Sequence, residues 1–378
     1  MKFGINNITS VRAAGDPAEV LGKWVDMAVE AEELGYWGWW TTEHHFGSDR
    51  AYRPYGVSET EFPTTDYDMA SCPLTLLTWV AAKTTKLRLG TAVVILHWDH
   101  PVRVAERAVL LDTLSGGRLE LGVGRGAGFR EVELYKVPKD NDVSNRKFKE
   151  AISIIRGLWT GEPFQHTGEF WETPELILAP KPSRPLPLFI GSASDESAIW
   201  AAGQGLPYMT ITWPLTGMDK YKAKWQAYQD ASAEAGFEVT ANENPHVLYM
   251  YCGESDEEAA ETAYKYMTQF QYITESHYEF ARQMSKQQAD KWLGQERAML
   301  QSVDTLARYP VEQQIVGSVE TCIERVRMYQ QELGVRYIVL NMGYGMMPHE
   351  KSVASMRRFA EGVMPHFSED AEPVEVAA

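Results

Sequence analysis

Two adjacent histidines, His44 and His45, stand in the run Thr42-Glu43-His44-His45-Phe46, at the end of an aromatic, strand-like segment. Imidazole titrates near neutral pH, so it can act as acid, base, hydrogen-bond anchor or metal ligand. Neighbouring side chains on an extended segment point to opposite sides, which keeps this pair from readily sharing a metal ion. No H-E-x-x-H or H-x-x-x-H occurs, and Cys72, Cys252 and Cys322 form no CxxC, so no metal site is expected. Two readings stay open. Either one histidine faces a pocket as a proton donor or hydrogen-bond anchor, or both are structural.

A second stretch, Gly122-Val123-Gly124-Arg125-Gly126-Ala127-Gly128, follows a strand and matches G-x-G-x-x-A, with Asp140 and Asp142 downstream. A dinucleotide fingerprint belongs in the first strand unit and opens a helix. Here it comes after three earlier units, and Phe129-Arg130-Glu131 offers no convincing helix start. The better reading is a loop whose bare backbone lies close to a ligand, with Arg125 aimed at an anion. A third stretch, Gly191-Ser192-Ala193-Ser194, runs into Asp195, Glu196 and Ser197. Ser194 is a natural helix N-cap, yet a helix start with hydroxyls also makes an anion site, and both readings stand. Arg125, Arg146 and the turn from Ser194 to Ser197 could together hold one phosphate. No nucleophile elbow, Walker sequence or Cys/His pair competes.

The elements that must position these residues alternate along the 378-residue chain. Apolar, strand-like runs are predicted at residues 2–7, 36–42, 87–96, 119–124, 186–191, 207–212, 246–251 and 335–342. Helical spacing fills most of the gaps, including residues 100–115, 146–159, 194–204, 219–236, 318–333 and 352–363, and a long polar helical region from 255 to 308. Eight strands separated by helices predict an α/β fold, a single (β/α)8 TIM barrel over residues 1–367, with a flexible tail at 368–378. Insertions are expected after strand 2 (residues 47–73, a candidate lid), before strand 5 (161–187, a candidate hairpin) and around strand 7. The formal charge is 36 − 52 = −16, without a basic run, which excludes nucleic acid and disfavours anionic membranes. No apolar run is long enough to span a membrane, and a cytoplasmic protein is expected. Trp39, Trp40, His97, Trp98, Trp213 and Met342 are candidates to line a dry barrel mouth.

The residues also resemble a known family. Met1-Lys2-Phe3-Gly4, Glu32-Glu33-Leu34-Gly35 and Glu43-His44-His45-Phe46 are similar to the bacterial luciferase alpha chain. So are Leu89-Gly90-Thr91-Ala92, His100-Pro101-Val102-Arg103, Leu110-Leu111-Asp112, Arg125-Gly126 and the segment ending Gln204-Gly205-Leu206-Pro207. The chain is thereby identified as a member of the luciferase-like flavin monooxygenases, with order and spacing carrying the match from residue 1 to about 213. The resemblance implies a barrel that uses reduced FMN, supplied by a separate flavin reductase, and O2 to oxygenate a substrate through a flavin C4a-peroxide. It places the catalytic histidine at His44 and phosphate contacts at Arg125, Arg146, Ala193, Ser194 and Ser197. It also places a non-proline cis peptide at Ala92-Val93, beneath the flavin ring.

At two places the chain departs from the luciferases, Gly124 where they carry a reactive cysteine and the longer insertion at 47–73, so the resemblance leaves aldehyde oxidation and light emission open. A mostly apolar organic substrate is expected, and a homodimer formed through helices on one side of the barrel, the segment 100–115 among them. Two alternatives are a deazaflavin-dependent oxidoreductase on the same barrel and a flavin-binding protein without activity.

Overall fold

The computed structural model describes residues 1–9, 16–45, 72–126, 129–138, 140–192, 194–211, 218–239, 243–278 and 314–368. Its centre is a closed parallel sheet. The barrel strands are β1 (Lys2–Thr9), β2 (Gly38–Thr41), β3 (Arg88–Thr91), β5 (Leu119–Gly124), β8 (Leu188–Ser192), β9 (Tyr208–Ile211), β10 (His246–Cys252) and β12 (Tyr337–Gly345). Each pairs with the next in parallel, and β12 pairs with β1 to close the ring. The eight-stranded barrel is therefore as the sequence predicts. A two-residue strand β4 (Val94–Ile95) adds to β5, and β11 (Ile315–Gly317) adds to the end of β10. Between Phe164–Thr167 (β6) and Glu172–Leu176 (β7) an antiparallel hairpin forms, inside the expected insertion before strand 5.

Helices coat the barrel: α1 (Pro17–Glu33), α2 (Pro73–Lys83), α3 (Pro101–Leu114), α4 (Phe129–Leu134), α5 (Asn141–Trp159), α6 (Asp195–Gly203), α7 (Met218–Glu234), α8 (Asp256–Tyr278), α9 (Val319–Leu333) and α10 (His349–Gly362). Their starts follow capping chemistry. Asp16 accepts from the amides of Ala18 and Glu19, Asp140 from those of Asp142 and Val143, and Ser318 from that of Thr321. Gly334 ends α9 at a left-handed φ of 66° that a side chain would resist.

Three features differ from the sequence reading. Helix α2 was not expected, because Leu-Thr-Leu-Leu-Thr-Trp-Val is apolar almost throughout and shows no period. The continuous strand expected over 87–96 breaks between Thr91 and Val94, where the Ala92–Val93 peptide is cis. Phe129 does open a short helix, α4. The candidate lid up to residue 71, Ala193, Trp213, residues 279–308 of the polar helical region and the tail from 369 lie outside the described residues.

The lumen is packed rather than hollow. Trp40, Phe189, Met209, Val247, Tyr337, Val339, Val93 and Ile95 form one buried cluster inside the ring. The Trp40 indole is wholly buried and lies against two glycines. A Cβ on Gly90 would stand 2.1 Å from the ring, and one on Gly4 2.7 Å. Below it, the Glu120 carboxylate accepts from Arg88 Nε at 3.1 Å, Trp37 Nε1 at 3.4 Å and Tyr337 Oη at 2.5 Å, which closes the N-terminal end. At the other end, α8 lies across the finishing residues of three strands. Its Ala263, Tyr266, Met267 and Phe270 pack with Ile8, Tyr249, Tyr251 and Tyr344.

Outside the ring, His246 is buried under α7, with its Nδ1 2.5 Å from Tyr221 Oη and Trp225 edge-on at 4.6 Å. Tyr221 in turn meets Thr210 Oγ1 at 3.0 Å. Burial pushes the His246 pKa down to about 3, so the folded chain keeps the ring neutral while the unfolded chain protonates it below about 6.5. The unfolded state then binds more protons between those values, and stability falls as pH falls. We expect His246 to account for about 2 kcal/mol of lost stability between pH 7 and pH 5. Urea unfolding of wild type and His246→Gln at both pH values checks this; equal pH dependence in the two would contradict it.

Candidate active site at the barrel mouth

The C-terminal strand ends gather the three chemistry-bearing stretches on one face, as the parallel ring requires. Lumen residues alternate along β2, where Trp40 faces in and Trp39 packs outward in the main core with α-helical partners. Beyond the strand, Thr42 Oγ1 reaches the inward Asn6 side chain at 3.4 Å. His44 is two residues further and 6% exposed.

His45 belongs to a different group. Its Nε2 lies 3.1 Å from Glu43 Oε1, and its ring meets Trp98 edge-on at 4.9 Å and Tyr135 at 5.9 Å. Trp98 and Tyr135 stack at 5.9 Å. The same Glu43 carboxylate accepts the Ile95 amide at 2.7 Å, tying the segment after β2 to β4. The amide of His45 points to Glu131, a fully buried carboxylate on α4, at 3.4 Å. These contacts hold His45 to Glu43, Trp98, Tyr135 and α4. Glu131 and Tyr135 were missed because the sequence reading saw no helix there.

Arg125 leaves the end of β5 over bare backbone. A Cβ on Gly124 would stand 2.6 Å from Val93, and one on Gly126, at φ 77°, 2.8 Å from Ile95 and 2.9 Å from Trp98. These glycines bring the Arg125 loop down onto the Ala92–Val93 turn. The Arg125 guanidinium donates to Asn141 Oδ1 at 2.9 Å, the first residue of α5. Arg146 stands on the same helix, five residues on, roughly 7.5 Å along the axis. Next to it, Asn145 donates to Glu196 Oε1 at 2.5 Å, in the first turn of α6. The start of α5 thus links the Arg125 loop to the Ser194–Ser197 turn.

Within that turn Ser194 caps α6, accepting from the Ser197 amide at 3.3 Å, and its hydroxyl donates to Ser197 Oγ at 2.8 Å. Asp140 caps α5, which removes the dinucleotide reading that had needed a downstream acid for a ribose. The arginines are not both turned to one point. Arg146 makes a two-pronged pair with Glu169, 2.9 Å at each prong, and both side chains are about half exposed. Glu169 is delivered by the β6–β7 hairpin, whose turn is clasped by Glu150: this carboxylate accepts the amides of Glu169, Phe170 and Trp171 at 3.0–3.2 Å.

His97 is a strut rather than a lining residue. Its Nδ1 lies 2.9 Å from the Arg125 carbonyl oxygen, and its Nε2 lies 3.0 Å from the Ser144 carbonyl oxygen and 3.4 Å from the Ser144 hydroxyl. Burial depresses its pKa below the usual histidine value, against the two carbonyl contacts that raise it, and the ring joins the β5 loop to α5. Met342 likewise packs in the outer core and does not line the mouth. Among the described residues no cluster of His, Cys, Asp or Glu is arranged to hold a metal ion. Among them, too, no helix is long and apolar enough to cross a membrane.

Fold and mouth together define a (β/α)8 barrel whose C-terminal strand ends carry Arg125, the Ser194–Ser197 turn and, beyond β2, the buried His44. The sequence matches the luciferase-like monooxygenase family over residues 1–337, and the chain belongs to that family. It is 25% identical over 359 residues to the oxygenase component of a flavin-dependent trigonelline monooxygenase from Acinetobacter baylyi, covering 91% of this chain and 89% of that one. It is also 25% identical over 367 residues to an alkanal monooxygenase alpha chain from Photobacterium leiognathi, covering 93% and 94%. Among solved structures, the monooxygenase RslO1 from Streptomyces bottropensis superposes with a TM-score of 0.77 at 24% identity, over 97% of this chain and 100% of that one.

Proposed function

We propose that this protein is the oxygenase of a two-component monooxygenase, binding reduced FMN from a separate reductase and oxygenating a mostly apolar organic molecule. The observation that carries the reading is the cradle at the start of α5. It offers two guanidinium groups, a helix N-terminus with two hydroxyls and a loop with no Cβ at Gly124 or Gly126. That donor set fits a phosphate monoester. Relatives with flavin-dependent monooxygenase activity, one of them named as an oxygenase component, support the same reading.

In this account Arg125 and Arg146 hold the FMN phosphate together with Ala193, Ser194 and Ser197, and Ala92 and Val93 support the ring. Reduced flavin, when bound, supplies the electrons that activate oxygen. The chain's own work is to bind, to exclude water and to manage a proton. The phosphate displaces Glu169 from Arg146, a surface pair worth little in water. Trp98 and Tyr135 cover one side of the mouth and α8 the other. His44 hydrogen-bonds the reacting oxygen and moves a proton at its imidazole, the task His performs best near neutral pH. His45, held by Glu43, keeps the segment in place.

We also read a homodimer from the side of the barrel where α2 and α3 pack together. There Trp79 is 43% exposed, Leu110 49% and Leu114 64%, an apolar strip suited to a second copy.

Arg125→Ala is expected to weaken FMN binding by about 1–3 kcal/mol while leaving riboflavin nearly indifferent, since only FMN carries the phosphate. Fluorescence titration of both ligands checks it, and unchanged FMN affinity would remove the phosphate assignment. His44→Ala is expected to keep the fold and most of the FMN affinity. Its product formation should fall by about 10²–10⁴-fold while oxygen uptake continues and hydrogen peroxide takes the place of product. Oxygen-electrode and peroxide assays with reduced FMN and a panel of aldehydes, ketones and terpenoids decide it. Full coupling in His44→Ala would leave the residue a packing role, and absence of oxygen uptake by the wild type would favour hydride transfer with a deazaflavin.

A further inference from the structure

Above Trp40 the lumen changes character. Register pairs place Asn6 beside Trp40 on one side and beside Asn341 on the other, and Asn341 beside Tyr249. Parallel register partners share a face, and Asn341 follows Tyr337 and Val339 at the two-residue period of the lumen side of β12. Both amides therefore project into the barrel at its C-terminal end. They are buried, Asn6 at 3% and Asn341 at 5% exposure, in a wall otherwise made of Val93, Ile95, Phe189, Met209, Val247 and Val339.

The hydrogen-bond inventory of this pair is uneven. Asn6 Nδ2 donates to Asn341 Oδ1 at 2.8 Å, and Thr42 Oγ1 attends the Asn6 amide at 3.4 Å. The Asn341 NH2 has no acceptor among the described residues. Its nitrogen is not sealed from solvent, so both N–H groups are open at the mouth, where water or a bound molecule can accept from them. The donor stands on the floor of the mouth, directly above the tryptophan that fills the barrel and on the same ring of strands that leads to His44.

We propose that Asn341 is a specificity-determining residue. Its amide N–H donates to a carbonyl oxygen of an otherwise apolar substrate, and Asn6 and Thr42 fix the orientation of that amide. The Asn6 bond occupies the Asn341 oxygen, so the nitrogen is presented to the mouth and selects an acceptor over a donor-only or hydrocarbon group. The inference rests on the reading of the mouth as the site of an apolar substrate.

Cyclohexanone and methylenecyclohexane test it, because they share a shape and differ in the presence of an acceptor oxygen. Calorimetric titration of the full chain with each, in saturating FMN, gives a ratio of affinities. Asn341→Leu should shift that ratio about tenfold against the ketone, the scale of one hydrogen bond in a buried site. Asn341→Asp keeps an oxygen for Asn6 and loses the NH2, so at alkaline pH it should shift the ratio the same way, with circular dichroism reporting the fold of both variants. Binding of both probes with a ratio unchanged in either folded variant overturns the proposal and leaves the apolar mouth standing. Failure of the wild type to bind either probe overturns both.

Discussion

Filling the barrel with one indole is the constraint from which the mouth is built. Trp40 occupies space that would clash with any side chain larger than hydrogen at Gly4 or Gly90, so three strands are committed to a single packing choice. With Phe189 and Tyr337 edge-on to it, the indole fixes the height of the lumen floor. The polar layer of Asn6, Asn341 and Thr42 rests on that floor. Below, Glu120 with Arg88, Trp37 and Tyr337 seals the far end, so the barrel opens in one direction only. A buried carboxylate with three donors, one of them a guanidinium, is the form in which such a charge is tolerated.

The cationic side of the mouth is arranged by a second set of contacts, all within the chain itself. His97 draws the Arg125 loop to α5, Asn145 draws α5 to α6, and Glu150 fastens the hairpin that brings Glu169 to Arg146. Each is a side chain holding main chain or another side chain in register, which is how a site of long residues is kept to one geometry. The Arg146–Glu169 pair sets a carboxylate on one of the two guanidinium groups. In the proposed FMN site a phosphate, with more charge than a carboxylate, would meet Arg125 and the α6 terminus as well, so exchange would favour it.

The eight barrel strands were legible because strands buried on both faces read as apolar runs, and the turns between them carry glycine. Helix α2 escaped since its apolar residues surround it, and α4 since six residues show no period. Placing Trp39 and Trp40 together at the mouth contradicts the two-residue alternation invoked for His44 and His45. The same rule, applied to β2, sends Trp39 outward. Ser194 as a cap was visible from its neighbours. The struts were not: His97 finds its partners 28 and 47 positions away, and Glu169 meets Arg146 across 23, distances that only the closed ring specifies.

A crystal structure of the chain with FMN bound tests the central claim most directly. The expected result places the phosphate between Arg125 and the Ser194–Ser197 turn, with Arg146 released from Glu169 and the ring lying against Ala92–Val93 on the side of His44. A phosphate bound elsewhere, or an intact Arg146–Glu169 pair beside an occupied flavin site, would contradict the account.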